Sequence, residues 1–415
     1  MPATPTYPGV YVEELPGAVH TMHGVETATC AFVGRAPRGP FAGSTDGPVT
    51  VSSLAEFESV FGAPHPELEL GWVVRDFFNN GGGRALIVRL RHMAEDAPDD
   101  AGLDAAGDGG PPLHEADYLG DAGTRSGLHT LREVDGFNLL CLPPDTRGGD
   151  TANAVMQAAL ALCVERRAML LVDPPAAWTD ADVILRDDAA ALQALGLEGE
   201  AMRNAALYFP RLLQHGPDAT QSTRVPCGAV AGVIARTDGN RGVWKAPAGL
   251  EASLHGVAGL SVLLDDDDNA RINQQGVNAL RIFPVHGAVV WGARTLRGAD
   301  SRSDDYRYVP VRRLSLHIEE SLVRGLQWAV FEPNDESLWA QLRLGVGTFM
   351  NSLFRQGAFA GTTQREAYFV HCDTSTTSLD DIDLGRCNVQ VGFAPLKPAE
   401  FVVLQVGLQV GQANA

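Results

Sequence analysis

Lysine is almost missing from this chain of 415 residues: Lys245 and Lys397 are the only two, and every other fixed side-chain cation is an arginine. With 32 Lys and Arg against 51 Asp and Glu, the net charge is −19. That balance argues against a nucleic-acid partner, which is bound chiefly by cations laid along phosphates. Cysteine is scarce as well. Cys30, Cys141, Cys163, Cys227, Cys372 and Cys387 form no C-x-x-C pair, and the first four lie in or beside apolar runs. They read as small buried hydrophobes, not as a disulfide framework or zinc ligands, which fits synthesis in a reducing cytosol. No run of about twenty apolar residues is uninterrupted, so no membrane insertion is expected. The N-terminus lacks a basic region followed by an apolar stretch, so no secretory signal is expected either. There is no G-x-S-x-G, and His286, His317 and His371 have no H-x-x-x-H partner. These gaps leave no catalytic, cofactor or metal constellation in the linear sequence, although a Cys–His pair assembled in space stays open.

What is present begins at the two ends. Val402, Leu404, Val406, Leu408 and Val410 alternate with Val403, Gln405, Gly407 and Gln409, the period of a half-buried strand. Tyr7-Pro8-Gly9-Val10-Tyr11-Val12-Glu13-Glu14 is a second strand-like run. A lone strand leaves backbone groups unpaired, so each must join a sheet edge. The edge can belong to another copy of the chain, by strand addition, or to the same domain.

Between the ends, a chain 45% hydrophobic and 20% charged is ordinary for a globular protein, and its length suggests two or three domains. Thr29 to Gly34 reads as a buried strand. A short helix opens at Ser53 and a second runs from about Pro66 to Asn80, with Leu70, Val73, Val74, Phe77 and Phe78 as its apolar stripe. Gly81-Gly82-Gly83 follows that helix and precedes the strand Ala85 to Leu90. A phosphate loop has the opposite order, so these glycines read as a helix stop. Residues 92–124 hold nine Asp or Glu and no Lys or Arg, a solvated loop or exposed insertion. From Phe137 strands and helices alternate: strands Phe137 to Leu142, Ala168 to Val172 and Ala205 to Phe209, helices Asp150 to Arg166 and about Asp180 to Leu195. That rhythm implies βαβ units and a partly parallel sheet.

Asp265 to Asp268 reads as a solvated turn. Ala279 to Phe283 and Ala288 to Trp291 suggest a hairpin. Two helices follow, one on Leu314, Ile318, Leu322 and Leu326, the other capped by Asn334 and continuing through Leu338, Leu342, Val346, Phe349, Met350 and Leu353. Tyr368 to His371 and Asn388 to Phe393 are further strands. Between Arg294 and Arg324 seven arginines face five acids, either a salt-bridged surface or a basic face for an acidic protein partner.

Several segments resemble the contractile phage tail sheath family. They are the opening run 7–14, Ala31-Phe32-Val33-Gly34-Arg35-Ala36-Pro37-Arg38-Gly39-Pro40, and the run from Val74 to Arg84. The stretches 228–233 and 236–248 belong with them, as do Val290-Trp291-Gly292-Ala293-Arg294-Thr295-Leu296, Trp328-Ala329-Val330-Phe331-Glu332-Pro333-Asn334-Asp335 and Ala394-Pro395-Leu396-Lys397-Pro398-Ala399-Glu400-Phe401. The resemblance spans nearly the whole chain and lapses in 92–124.

It implies a non-enzymatic, multi-domain sheath subunit of α/β (mixed α+β) class, with mixed sheets flanked by helices and extended strand arms at both ends. The expected division is an N-terminal arm 1–25, a first part of the core 26–91, an acidic variable insertion 92–124, an outer α/β domain 125–250, a tube-proximal C-terminal domain 251–395 and a C-terminal arm 396–415. Implied partners are further copies stacked as hexameric rings, an inner tube protein, and baseplate and terminal cap proteins. No cofactor is implied. Assembly would take place in the bacterial cytoplasm, giving a phage tail or a released injection particle. The arms map to Val10, Tyr11, Val12 and Glu13 and to Val402, Leu404, Val406, Leu408 and Val410. Candidate tube contacts are Arg312, Arg313, Arg324, Arg343 and Arg355. The rival readings are another tail or baseplate component and an α/β enzyme built on the 137–236 alternation.

Overall fold

The computed structural model describes residues 22–42, 47–92, 111–186, 190–216 and 220–400. Both arm segments, Val10 to Glu13 and Val402 to Val410, and much of the acidic stretch 92–124 lie outside the described residues. The chain divides into two compact units. The larger comprises residues 26–317 and 395–415, the smaller residues 1–25 and 318–394.

The larger unit is organised by an eight-stranded sheet. In chain order its strands are β1 (Thr29–Gly34), β2 (Val49–Val51), β3 (Arg84–Arg89), β4 (Leu139–Cys141), β5 (Met169–Val172), β6 (Ala205–Phe209), β10 (Val277–Phe283) and β11 (Gly287–Val290). Their spatial order is β11-β10-β6-β5-β4-β1-β3-β2. The run from β10 to β3 is parallel, while β2 and β11 close the two edges antiparallel. Three intervening strands, β7 (Leu212–His215), β8 (Gln221–Arg224) and β9 (Gly259–Leu260), form a separate antiparallel sheet in the order β8-β7-β9.

A parallel sheet must be covered on both faces, so its strands are apolar throughout rather than alternating. All six residues of β1 are buried, and successive side chains serve opposite cores. Cys30, Phe32, Ala85, Ile87, Leu139 and Cys141 pack under the helices Leu70–Asn79 and Cys227–Arg241. Ala31, Val33, Leu86, Val88, Leu140 and Leu142 pack on the other face with the helix Asn153–Glu165. Cys30, Cys141, Cys163 and Cys227 are all buried free thiols of this kind.

The helix Cys227–Arg241 met no expectation from periodicity, because it is apolar around most of its first three turns. Its glycines explain how it seats. A Cβ at Gly228 would lie 2.1 Å from the Val73 carbonyl oxygen, and one at Gly232 would lie 2.5 Å from that of Phe77. The two helices therefore touch backbone to backbone, and only hydrogen fits between them. Gly228→Ala is expected to force them apart and lower the unfolding free energy by about 2 kcal/mol or more, read as a fall in the denaturant midpoint. An unchanged midpoint would mean the interface yields freely.

Several expected elements shift. The strand-to-strand pairing of β6 with β10 joins residues on both sides of the 250/251 division, so that division does not separate two bodies. The boundary falls instead between His317 and Ile318, inside the helix Val309–Gly325. The helix expected over Asp180 to Leu195 is two short ones, Ala181–Leu185 and Ala190–Gln193. The acidic run is not a free turn. Asp265 caps the helix Asp266–Gln274, accepting from Asp268 N at 2.8 Å, and three aspartates sit where the helix dipole favours anions. Asp335, not Asn334, caps the helix Glu336–Arg355; Asn334 accepts instead from the Trp339 indole at 2.8 Å.

The smaller unit holds that helix, the last residues of Val309–Gly325, and a two-stranded antiparallel sheet of β12 (Tyr368–His371) and β13 (Gln390–Phe393). Leu338, Trp339, Leu342 and Cys372 form one core cluster. Phe359 stacks at a tilt between Tyr368 and Phe393.

Candidate functional site

An open parallel sheet binds small ligands where its strand order reverses, outside the carboxyl ends of the strands. Here the reversal lies between β1 and β4: from β1 the chain goes to β3 on one side, and β4, β5, β6 and β10 then build out on the other. The protein fills this place itself. Arg35, next after β1, grips Asp145 with two parallel bonds of 2.7 and 2.8 Å, and the Leu113 amide donates to the same carboxylate at 3.2 Å. Beside it, a cavity of about 310 Å³ is lined by Pro144, Asp150, Asp173, Trp178 and Arg211, among others. Arg211 and Asp150 are engaged structurally, while Asp173 Oδ2 is buried with no hydrogen-bond partner among the described residues. Arg211 bonds Asp150 at 2.5 Å and the Pro174 carbonyl at 2.9 Å. Asp173 accepts from the Cys227 amide at 2.9 Å, and burial raises its carboxyl to about 7. His317 is half-buried, and desolvation lowers it to about 4.

The other notable surface is the β12–β13 pair. Among the described residues neither strand has a further neighbour, so both outer edges offer unpaired backbone groups. A two-stranded sheet is marginal alone and gains most from added strands.

The roots of both arms are held firmly. At the C-terminal root Glu400, the last described residue, receives two bonds from Arg294, 2.8 Å from Nε and 2.5 Å from Nη2. Arg294 is 1% exposed and also donates to Asp300 and to the carbonyls of Asn273 and Gly298. At the N-terminal root the Val25 amide donates to Ser321 Oγ at 3.0 Å, and the Thr27 carbonyl accepts from Arg313 at 2.7 Å. Sequence reasoning placed Arg294 and Glu400 in separate resembling segments, and nothing in their spacing could announce that they pair.

The five candidate arginines fall into different situations. Arg313 is 4% exposed and clamps Asp238 with bonds of 2.7 and 2.6 Å, so it is an internal residue and leaves the set of surface candidates. Arg312 bonds Asn204 Oδ1 twice and covers the Tyr306 ring at 4.7 Å, a half-buried role within the larger unit. Arg324, Arg343 and Arg355 lie in the smaller unit. Arg324 pairs with Glu320 at 2.6 Å along its helix, Arg343 pairs with Glu336 at 2.6 Å and donates to the Cys372 carbonyl, and Arg355 is exposed in the last helical turn.

Arg35 and Asp145 occupy the strand-order reversal, and the chain also carries a small sheet with open edges and firmly rooted tails, features of a building block for assembly. The comparisons with known proteins say which kind. Residues 116–296 match the phage tail sheath protein central domain and residues 301–409 the phage tail sheath C-terminal domain. The fold is similar to the sheath complex of an extracellular contractile injection system, PVC, in its contracted state: TM-score 0.73, 27% identity, 98% of this chain and 99% of that one. It is also similar to the helical sheath of the anti-feeding prophage in its contracted state, with TM-score 0.70, 27% identity and 97% and 99% coverage. A sheath tail protein of Desulfitobacterium hafniense shares the fold at TM-score 0.58 and 12% identity, over 88% of this chain and 93% of that one. No curated protein matches the sequence. The chain belongs to the phage tail sheath family and is a structural subunit of a contractile sheath.

Proposed function

We propose that the subunit polymerises as stacked hexameric rings around an inner tube protein and contracts from a metastable extended array to drive the tube through a target envelope. The observation that carries this reading is the open-edged β12–β13 sheet together with two tails rooted by hydrogen bonds from buried arginines. Each tail supplies a strand to the small sheet of an adjoining copy. A mesh linked in this way stays connected while folded bodies rotate nearly rigidly. Each subunit need gain only about a few kcal/mol, the size of one good hot-spot contact, because many act in series. A barrier protects the extended state, which is therefore kinetically stable. A baseplate starts contraction, a cap protein ends the polymer, and assembly precedes release from the bacterial cytoplasm.

Tube contact falls to the smaller unit, within the region 251–395, through Arg324, Arg343 and Arg355. Such contacts must break during contraction, which suits exposed, screened pairs. Reversing the charge of Arg324 and Arg355 together is expected to leave a folded subunit that no longer assembles to the correct length on tubes, as seen by electron microscopy. Normal sheaths from the reversed protein would refute the assignment.

A second reading is a place in the ring nearest the baseplate. It is favoured by likeness to a chain of the anti-feeding prophage baseplate, at TM-score 0.69 and 29% identity over 98% of this chain. Long helical polymers from the purified chain would support the sheath body, whereas isolated rings would support the basal position.

A further inference from the structure

Two pairs of thiols in this protein lie within reach of each other, and their surroundings differ. Cys30 and Cys141 have sulfurs 3.6 Å apart, but both are fully buried in the core of the large sheet. Cys372 and Cys387 have sulfurs 3.7 Å apart in the smaller unit. Cys372 is buried at the end of β12, while Cys387, shortly before β13, is only half-buried. Together they close the segment that connects the two strands of the open-edged sheet.

That segment is already held in a compact form. The Asp373 amide donates to Thr376 Oγ1 at 3.0 Å, the Asn388 amide to Thr377 Oγ1 at 3.0 Å, and the Asn388 side chain to the Thr376 carbonyl at 3.0 Å. Its apolar side packs on Leu338, Trp339 and Leu342. A disulfide needs its sulfurs at about 2.0 Å. The sulfurs must therefore approach by about a further 1.7 Å, a movement on the scale of side-chain rotation.

We propose that Cys372 and Cys387 form an oxidation site, a disulfide that closes the β12–β13 connection when the protein leaves a reducing compartment. The oxidant is a small-molecule disulfide. The Cys387 thiolate, the more accessible of the two, attacks one sulfur of that molecule and expels the other as a thiolate. Cys372, on losing its proton to solvent, then attacks the Cys387 sulfur and displaces the second thiolate. Two protein thiols are oxidised and one small disulfide is reduced to two thiols. Burial holds the Cys372 thiol up to about 12, with the adjacent Cys387 adding to the rise. The second step needs the Cys372 thiolate, so its rate climbs with pH. The core cysteines have no such access, and burial keeps their thiols protonated.

The bond itself does not depend on how the protein assembles. The consequence, a braced receiving hairpin, rests on the strand-addition reading. The experiment separates the two by reading the full-length protein before any polymer forms. Purified chain is equilibrated with reduced or oxidised glutathione, quenched by alkylation and digested with trypsin. Cleavage after Arg386 places the two cysteines on different peptides, so the bond appears as a linked pair lacking two hydrogens. The expected result is that linked pair in oxidised glutathione, with Cys30, Cys141, Cys163 and Cys227 recovered as thiols. Amide exchange within residues 372–387 should slow by about 10-fold or more on oxidation. Cys387→Ser, at a half-exposed position, should keep the reduced protein's exchange pattern and lose both the link and the slowing. Free thiols at both positions, glutathione adducts that never resolve, or a link that leaves exchange unchanged would each overturn the proposal.

Discussion

Removal of residues 402–415 is expected to leave a folded, soluble subunit that forms no tubular polymers. The truncation starts beyond Glu400, so the Arg294 clamp and the three core clusters keep all their described contacts. What disappears is the alternating run Val402, Leu404, Val406, Leu408 and Val410. If that run is the strand donated to a neighbour, each truncated subunit loses a row of main-chain hydrogen bonds and the apolar face that goes with them. Loss of several kcal/mol at every link of a polymer multiplies along its length, so the effect is on the order of complete. Sedimentation would show one slow species where the full chain pellets. Normal tubes from the truncated chain would falsify the strand-addition role.

Asp238→Ala is the second change with a large expected effect, and it acts on the fold. Its partner Arg313 is 4% exposed and makes two bonds to the Asp238 carboxylate. Removing the acid leaves a buried guanidinium that keeps its bond to the Thr27 carbonyl but has lost its counter-charge. Breaking one side of a buried ion pair costs about 3–5 kcal/mol. That is a large part of a typical domain's stability, so the denaturant midpoint should fall steeply. Replacing both residues with apolar side chains of matching volume should recover much of the loss, since the desolvated charge is then gone. By contrast, Arg324→Ala removes one exposed ion pair and should change stability by less than about 1 kcal/mol. Equal effects at Asp238 and Arg324 would show that Arg313 is not the buried strut described above.

The local periods were legible in the sequence. β1 and β6 fall where runs of apolar and β-branched residues put them, because a covered strand has few other ways to be written. The helix over Glu336–Arg355 was equally plain, since Leu338, Leu342, Val346, Phe349 and Leu353 share one face. The helix Cys227–Arg241 was not, because nearly all-round burial erases the amphipathic signal, and its glycines mimic a loop. Partnership was the larger blind spot. Arg294 with Glu400, Arg313 with Asp238 and Arg35 with Asp145 are each separated by 75 residues or more. The local excess of arginine between Arg294 and Arg324 suggested either a salt-bridged surface or a basic face, yet two of its members are core struts. Charge counted along a chain cannot distinguish a cation facing water from one facing a buried acid.

The chain leaves the larger body at His317 and rejoins it at Pro395, before the C-terminal tail departs from Glu400. A pull on that tail is therefore borne first by the Arg294 clamp and the eight-stranded sheet behind it.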